Sequence, residues 1–119
     1  MRSKKQKSYR FGLYAEIIAM IFLTLKFYRI LAWRYKTKFG EIDIIAKRGK
    51  EIAFIEVKAR SNLDNLELVT SNQQNRIGDA AKIFLNKNVK SNDNIILFNL
   101  IIVKFPFTLK YIKNAWQSL

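Results

Sequence analysis

The chain has 119 residues, the length of one domain, with half of them hydrophobic and a single proline, which excludes a disordered or low-complexity protein. Twenty-two Lys and Arg stand against nine Asp and Glu, leaving +13 and a pI of about 10.2, a field that draws in a polyanion such as nucleic acid or an anionic membrane surface. With no cysteine and no histidine, disulfides, thiolate nucleophiles, serine–histidine triads and imidazole zinc sites are excluded, so any chemistry falls to carboxylates, lysine and oxygen-seeking metals.

Residues 1–10, with Arg2, Lys4, Lys5, Lys7 and Arg10, read as a flexible basic arm ahead of a single domain over 11–119. The apolar run Ile17–Leu25 is bracketed by Glu16 and Lys26 and is far shorter than the roughly 20 residues of a transmembrane helix. No small-residue cleavage site follows it, so a signal peptide is rejected and no membrane partner is expected. The lack of cysteine is compatible with a cytoplasmic location. From about Leu13 to Phe27 the apolar positions Tyr14, Ile17, Ile18, Ile21 and Leu25 recur at helical spacing, and Met20, Leu23 and Phe27 make the opposite face apolar too. That is more apolar surface than one sheet face covers, which raises the expectation of a homodimer.

A first strand is expected near Tyr28–Trp33, then a basic link with Arg34, Lys36 and Lys38. Residues 41–47 and 51–58 alternate in strand fashion around Gly49-Lys50, a Gly-X pair suited to a tight two-residue hairpin turn. After a polar loop around 62–67, Thr70 or Ser71 can cap a helix whose apolar face is Ile77, Ala80, Ala81, Phe84 and Leu85. The continuous apolar stretch Ile95–Val103 reads as a buried central strand stopped by Pro106, and residues 111–117 read as a short last helix. The order α-β-β-β-α-β-α predicts an α/β sandwich, a central mixed sheet flanked by helices.

The hairpin carries the chemistry. A Gly49-Lys50 turn pairs Arg48 with Glu51, and the same register sets Asp43 opposite Glu56 and Glu41 opposite Lys58, all four on one face. Opposed carboxylates repel unless a cation lies between them, and oxygen donors suit Mg²⁺ or Mn²⁺. Such an ion polarises a phosphate and lowers the pKa of a bound water, while Lys58 can orient that water or stabilise charge on the transition state. The plainer alternative is a solvated face holding an ion pair. Against it, the strands are otherwise strongly apolar and the chain has few acids to oppose.

Phe39-Gly-Glu-Ile-Asp-Ile-Ile-Ala46 followed by Ile55-Glu-Val-Lys-Ala-Arg60 resembles the signature of the YraN-like family of the PD-(D/E)XK, restriction-endonuclease-like superfamily. The likeness extends to Glu16, Val69-Thr70, Gln74, Arg76-Ile77 and the segment 112–116, covering about residues 12–117. It implies a restriction-endonuclease-like fold, with Asp43 and Glu56 as metal ligands, Lys58 as catalytic lysine, Glu16 as accessory acid and Gln74 as a helix-borne contact. Two positions depart from the family pattern: Gln73 stands where a lysine is expected beside Gln74, and Asn99 where an aspartate is usual.

Three functions follow in order of preference. The first is a Mg²⁺- or Mn²⁺-dependent endonuclease acting on DNA, branched or junction forms included, with Arg34, Lys36, Lys38, Arg60 and Arg76 contacting the nucleic acid and Glu41 accessory to the site. The second is a basic nucleic-acid-binding module on the same fold, without catalysis. The third is a membrane-surface or interaction protein using the apolar first helix. Trp33, Tyr35, Phe39 and Trp116 are read as core or interface residues rather than as base-stacking platforms.

Overall fold

The structure, a computed structural model, describes residues 4–60, 69–104 and 108–117, with side chains described from residue 11 onward. Helix α1 (Lys4–Leu25) precedes strands β1 (Arg29–Lys36), β2 (Glu41–Arg48) and β3 (Glu51–Arg60). Helix α2 (Ser71–Asn88) then leads to β4 (Ile95–Lys104) and β5 (Thr108–Trp116). One sheet holds the strands in chain order, antiparallel throughout except for β3 and β4, which are parallel and need α2 as their crossover. This is the α/β sandwich with a mixed central sheet that the sequence predicts, and it is compatible with a restriction-endonuclease-like fold.

Strand alternation divides the core between the two helices. Ile52 and Phe54 of β3 face α2 and meet Ile77, Ala80, Ala81 and Phe84. Ala53 and Ile55 face α1, where Ala15, Ala19 and Leu23 pack against the sheet. The small alanines let both helices sit close to the strands. The aromatic set sorts the same way: Tyr35 and Trp116 join the α2 side, whereas Trp33 and Phe39 are exposed.

Helix α1 begins at Lys4 rather than near Leu13, so residues 4–10, expected as an arm, have helical backbone. Lys, Gln and Arg are good helix formers, and nothing in that stretch breaks a helix. At the other end Phe27 takes a positive φ of 68° while Tyr28 N–H reaches back to the Leu23 carbonyl and Phe27 N–H to that of Thr24. That is a Schellman ending with phenylalanine in the place glycine usually takes, and the buried Tyr28–Leu23 pair supplies its apolar contact. For α2, Thr70 is the cap: its side chain accepts the Gln73 N–H, and the Gln73 side chain accepts the Thr70 N–H.

The last element is a strand, not the helix expected over 111–117. Helical spacing at Tyr111, Ile112 and Trp116 is outweighed by the open edge of β4, whose backbone groups β5 pairs from Lys104↔Thr108 to Phe98↔Trp116. The register slips between Phe98 and Leu100. There Asn114 has a φ of 53°, and its N–H is taken by the side chain of Asn99 at 2.7 Å. The polar loop around 62–67 and Pro106 lie outside the described residues.

Candidate functional site

The β2–β3 hairpin has the register the turn predicts: Arg48 pairs with Glu51, and Gly49 supplies the one positive φ of the turn, 59°. Pairing runs from there to Ile44↔Ile55 and stops. The expected backbone opposition of Asp43 with Glu56, and of Glu41 with Lys58, is therefore corrected. In its place the Asp43 carboxylate accepts the Val57 N–H at 2.8 Å, doing for β3 what a β2 carbonyl does elsewhere in the ladder.

The reason is a break in alternation shared by two neighbouring strands. On β2, Ile42 and Ile45 both pack on the α2 side though three residues apart, while Ile44 packs on the α1 side. On β1, Ala32 and Tyr35 do the same, and Arg34 between them has a φ of 55°. Both breaks fall at one level of the sheet, where Arg34 and Asp43 lie between the paired positions Trp33↔Ile44 and Tyr35↔Ile42. A regular sheet would alternate through this level; the distortion turns Asp43 towards β3.

Glu56 and Lys58 stand on the α2 side of β3, their charged ends 3.4 Å apart and largely buried. With Asp43 and Glu41, Glu56 lines a cavity of about 220 Å³ completed by Gln73, Arg76 and Ile77 of α2. Burial, then the charge of Glu56, pushes the Asp43 carboxyl up to about 8, against the opposing pull of the Val57 N–H; Glu16 and Glu41 add smaller repulsion. Glu56 is raised as well, first by burial, although Lys58 and a hydrogen bond with Asp43 hold it down. Near neutral pH the Asp43 carboxyl therefore holds its proton beside Glu56, as one of two like charges in a small cavity does.

Glu16 lies on α1, on the other face of the sheet, and accepts hydrogen bonds from Trp33 Nε1 at 2.8 Å and Arg34 Nε at 2.9 Å. Its charge is nevertheless felt by both Asp43 and Glu56. The distorted level of the sheet brings the three acids into one electrostatic neighbourhood, with Arg34 committed to Glu16.

The remaining expected residues divide. Arg76 is on the cavity wall and exposed. Lys36, the last residue of β1, and Lys38, in the β1–β2 turn, are exposed. Arg60, at the end of β3, donates to the Ala59 carbonyl at 2.8 Å. Gln74 does not reach the cavity; its amide donates to the Val69 carbonyl at 3.0 Å, a structural bond that holds the entry to α2. Gln73, one residue earlier, is the glutamine on the wall, an exchange with no signal in the sequence because position within the first turn depends on which residue caps the helix. Gly40 was likewise missed. A Cβ there would lie 2.5 Å from the Arg76 carbonyl oxygen, so the β1–β2 turn rests directly on the backbone of α2.

The donors fit a hard divalent cation. They are oxygen-only, and burial raises both the Asp43 and the Glu56 carboxyl, a cost that a cation between them would offset. Among the described residues no group of three or more acidic, histidine or cysteine side chains is gathered for a metal. Two carboxylates are enough for Mg²⁺, which keeps several waters and takes further oxygens from substrate phosphates.

Over residues 15–103 the sequence matches the family described as "Uncharacterised protein family UPF0102". The chain belongs to this family, the YraN-like branch of the PD-(D/E)XK superfamily. A UPF0102 protein of Rhodopseudomonas palustris (strain BisA53) is 45% identical over 97 residues, covering 81% of this chain and 75% of the relative. UPF0102 protein mlr4633 of Mesorhizobium japonicum is 41% identical over 120 residues, 98% of this chain and 94% of its own. UPF0102 protein RPA0323 of Rhodopseudomonas palustris is 42% identical over 112 residues, 93% and 86% respectively. These UPF0102 relatives therefore match the chain over most of its length.

Proposed function

We propose that this UPF0102 protein is a metal-dependent nuclease that hydrolyses phosphodiester bonds of DNA, branched forms included. The observation that carries the reading is the Asp43–Glu56 pair: two carboxyls held together at a cost in ionisation, with the Lys58 ammonium 3.4 Å from one of them and Arg76 across the same cavity. Asp43 and Glu56 would hold Mg²⁺ or Mn²⁺. When bound, such an ion acts as a Lewis acid towards the phosphate and makes its own water a better nucleophile. Lys58 orients the attacking water and stabilises the negative charge that grows on the phosphoryl oxygens. Arg76 offers a guanidinium fork to a phosphate entering the cavity mouth, and the exposed Lys36 and Lys38 extend the positive track along the β1–β2 turn.

The test compares wild type, Asp43→Asn and Glu56→Gln on labelled duplex, single-stranded, flap and four-way-junction DNA, with EDTA, Mg²⁺ or Mn²⁺. Wild type is expected to cut only with metal, and each variant to lose about a thousandfold in rate, the scale of removing a group that stabilises the transition state, while binding DNA as wild type does. If no protein cuts under any metal yet all bind alike with steep salt dependence, the fold is serving as a nucleic-acid-binding module.

A second copy of the chain is the partner we propose for α1. Tyr14, Ile17, Ile21 and Leu25 form an exposed apolar stripe along it, and the helix from 11 to 25 carries one charge, Glu16, already paired with Arg34. On a chain of +13, this is a face on which two copies meet without opposing like charges. No helix among the described residues is long and apolar enough to cross a membrane. Sedimentation of wild type should give a dimer and of Ile21→Lys a monomer; a wild-type monomer at micromolar concentration refutes the pairing.

A further inference from the structure

The β1–β2 turn holds an aromatic ring in the open beside the cavity. Phe39 is 57% exposed and makes no ring contact among the described residues. A large apolar side chain in that position costs solvation that a polar residue would avoid, and the turn is not loose. Thr37 Oγ1 accepts the N–H of Phe39 and of Gly40, each at 3.1 Å, and donates to the Gly40 carbonyl at 2.8 Å. Thr37 N–H closes the same turn onto that carbonyl at 2.9 Å. Gly40 then seats the turn on the Arg76 backbone, and Glu41, the next residue, is on the cavity wall. Phe39 is thus fixed one residue from the close contact with α2, with the exposed Lys38 and Lys36 just before it in the chain.

Trp33 provides the contrast. It is 44% exposed, but its indole N–H is given to Glu16 and the Arg34 guanidinium lies 5.3 Å from its ring. Its edge and one face are in use. Phe39 has no such engagement, and it lies one residue from Gly40, which rests on the Arg76 backbone, and two from Glu41 of the cavity wall.

We propose that Phe39 is a stacking residue that receives an unpaired nucleobase next to the phosphate held in the cavity, so that the substrate is nucleic acid with an unstacked base there: a flap, a gap, a junction or a single strand. The proposal rests on the nuclease reading for the location of the phosphate. Its chemistry is that of an aromatic face against a base, which is tolerant of base identity, flanked by ammonium groups that follow the backbone. In a continuous duplex both faces of every internal base are covered by neighbours, so the ring has nothing to stack on without prising a step apart. Preference for unstacked positions follows from that difference.

Binding is measured in EDTA, where no cutting occurs, using a flap DNA with 2-aminopurine at the first unpaired position and a continuous duplex of the same sequence. Wild type should bind the flap more tightly than the duplex and change the 2-aminopurine emission. Phe39→Ala should weaken flap binding roughly 5- to 100-fold, the range that stacking of one base supports, leave duplex binding unchanged and abolish the emission change. Phe39→Trp should retain both effects, and Phe39→Leu, which keeps apolar bulk without a π face, should lose them. Phe39→Ala with no effect, or with an equal loss on flap and duplex, overturns the stacking role. Wild type that binds neither DNA overturns it together with the nuclease reading. Loss of cutting as the sole failure, with the Phe39 pattern intact, removes the nuclease reading alone.

Discussion

Asp43→Asn should make the protein more stable in alkaline solution while it removes the activity proposed for it. In the native fold Asp43 is held up to about 8 by burial and by the charge of Glu56, whereas in the unfolded chain it returns to its ordinary value of 3.8. For a carboxyl raised in this way, the native state binds the extra proton. The stabilising contribution is whole below about pH 4, falls as the unfolded chain ionises, and is gone once pH passes the folded value near 8. Asparagine does not ionise, and its side-chain oxygen still accepts the Val57 N–H that the carboxylate accepts at 2.8 Å. The gap between variant and wild type should therefore open above pH 4, widen to about pH 8 and then level off, with a size on the order of a few kcal/mol. In thermal melts that is about 10 °C in favour of the variant at pH 9, and coincident curves near pH 4. Adding Mg²⁺ at pH 9 should raise the wild-type melting temperature and leave the variant's unchanged, because only the wild type has the second negative charge to attract the ion. Melts of wild type and variant that coincide across this pH range would mean that Asp43 ionises freely and that the pair is not held at a cost. Stability gained where function is lost is the signature of a residue kept for chemistry rather than for the fold.

The grouping of two acids with a lysine was more legible in the sequence than the geometry that produces it. Asp43, Glu56 and Lys58 were recoverable because a Gly-X turn fixes a hairpin register, and the register did hold through Ile44↔Ile55. It could not reveal that pairing ends there, since the break depends on Arg34 of the neighbouring strand adopting a left-handed conformation, and no residue at that position announces one. Helix α2 was legible from its cap and its 3.6-residue period. The final strand was not: Tyr111, Ile112 and Trp116 satisfy a helical spacing as well as a bulged strand, and the deciding influence is the edge of β4, a tertiary partner. The same ambiguity separates Gln73 from Gln74. One turn of helix carries both, and only the choice of Thr70 as cap turns the first towards the cavity and the second towards Val69.

Two polar side chains repair the sheet where its ladders fail, Asp43 at β2–β3 and Asn99 at β4–β5, and they differ in what their loss should do. Asn99 is fully buried. Its oxygen takes the Asn114 N–H at 2.7 Å, where the register slip leaves that group without a backbone partner, and its amide donates to the Tyr111 hydroxyl at 2.7 Å. Asn99→Ala leaves both groups unpaired and opens a small void in the α1 side of the core. Each orphaned buried group costs about 1–3 kcal/mol, so the total should be about 3–5 kcal/mol, a fall in melting temperature of roughly 10–20 °C. Tyr111→Phe removes one arm of this arrangement and should cost about 1 kcal/mol. Asn99→Asp should recover much of the loss, because one carboxylate oxygen still accepts the Asn114 N–H and the Tyr111 hydroxyl can turn to donate to the other. None of these changes touches the cavity, so Mg²⁺ affinity measured well below the melting point should stay at the wild-type value in all three. Guanidinium titrations of the set decide the matter: if Asn99→Ala costs no more than Tyr111→Phe, the Asn114 N–H is being satisfied by water and β5 is held by its backbone ladder alone.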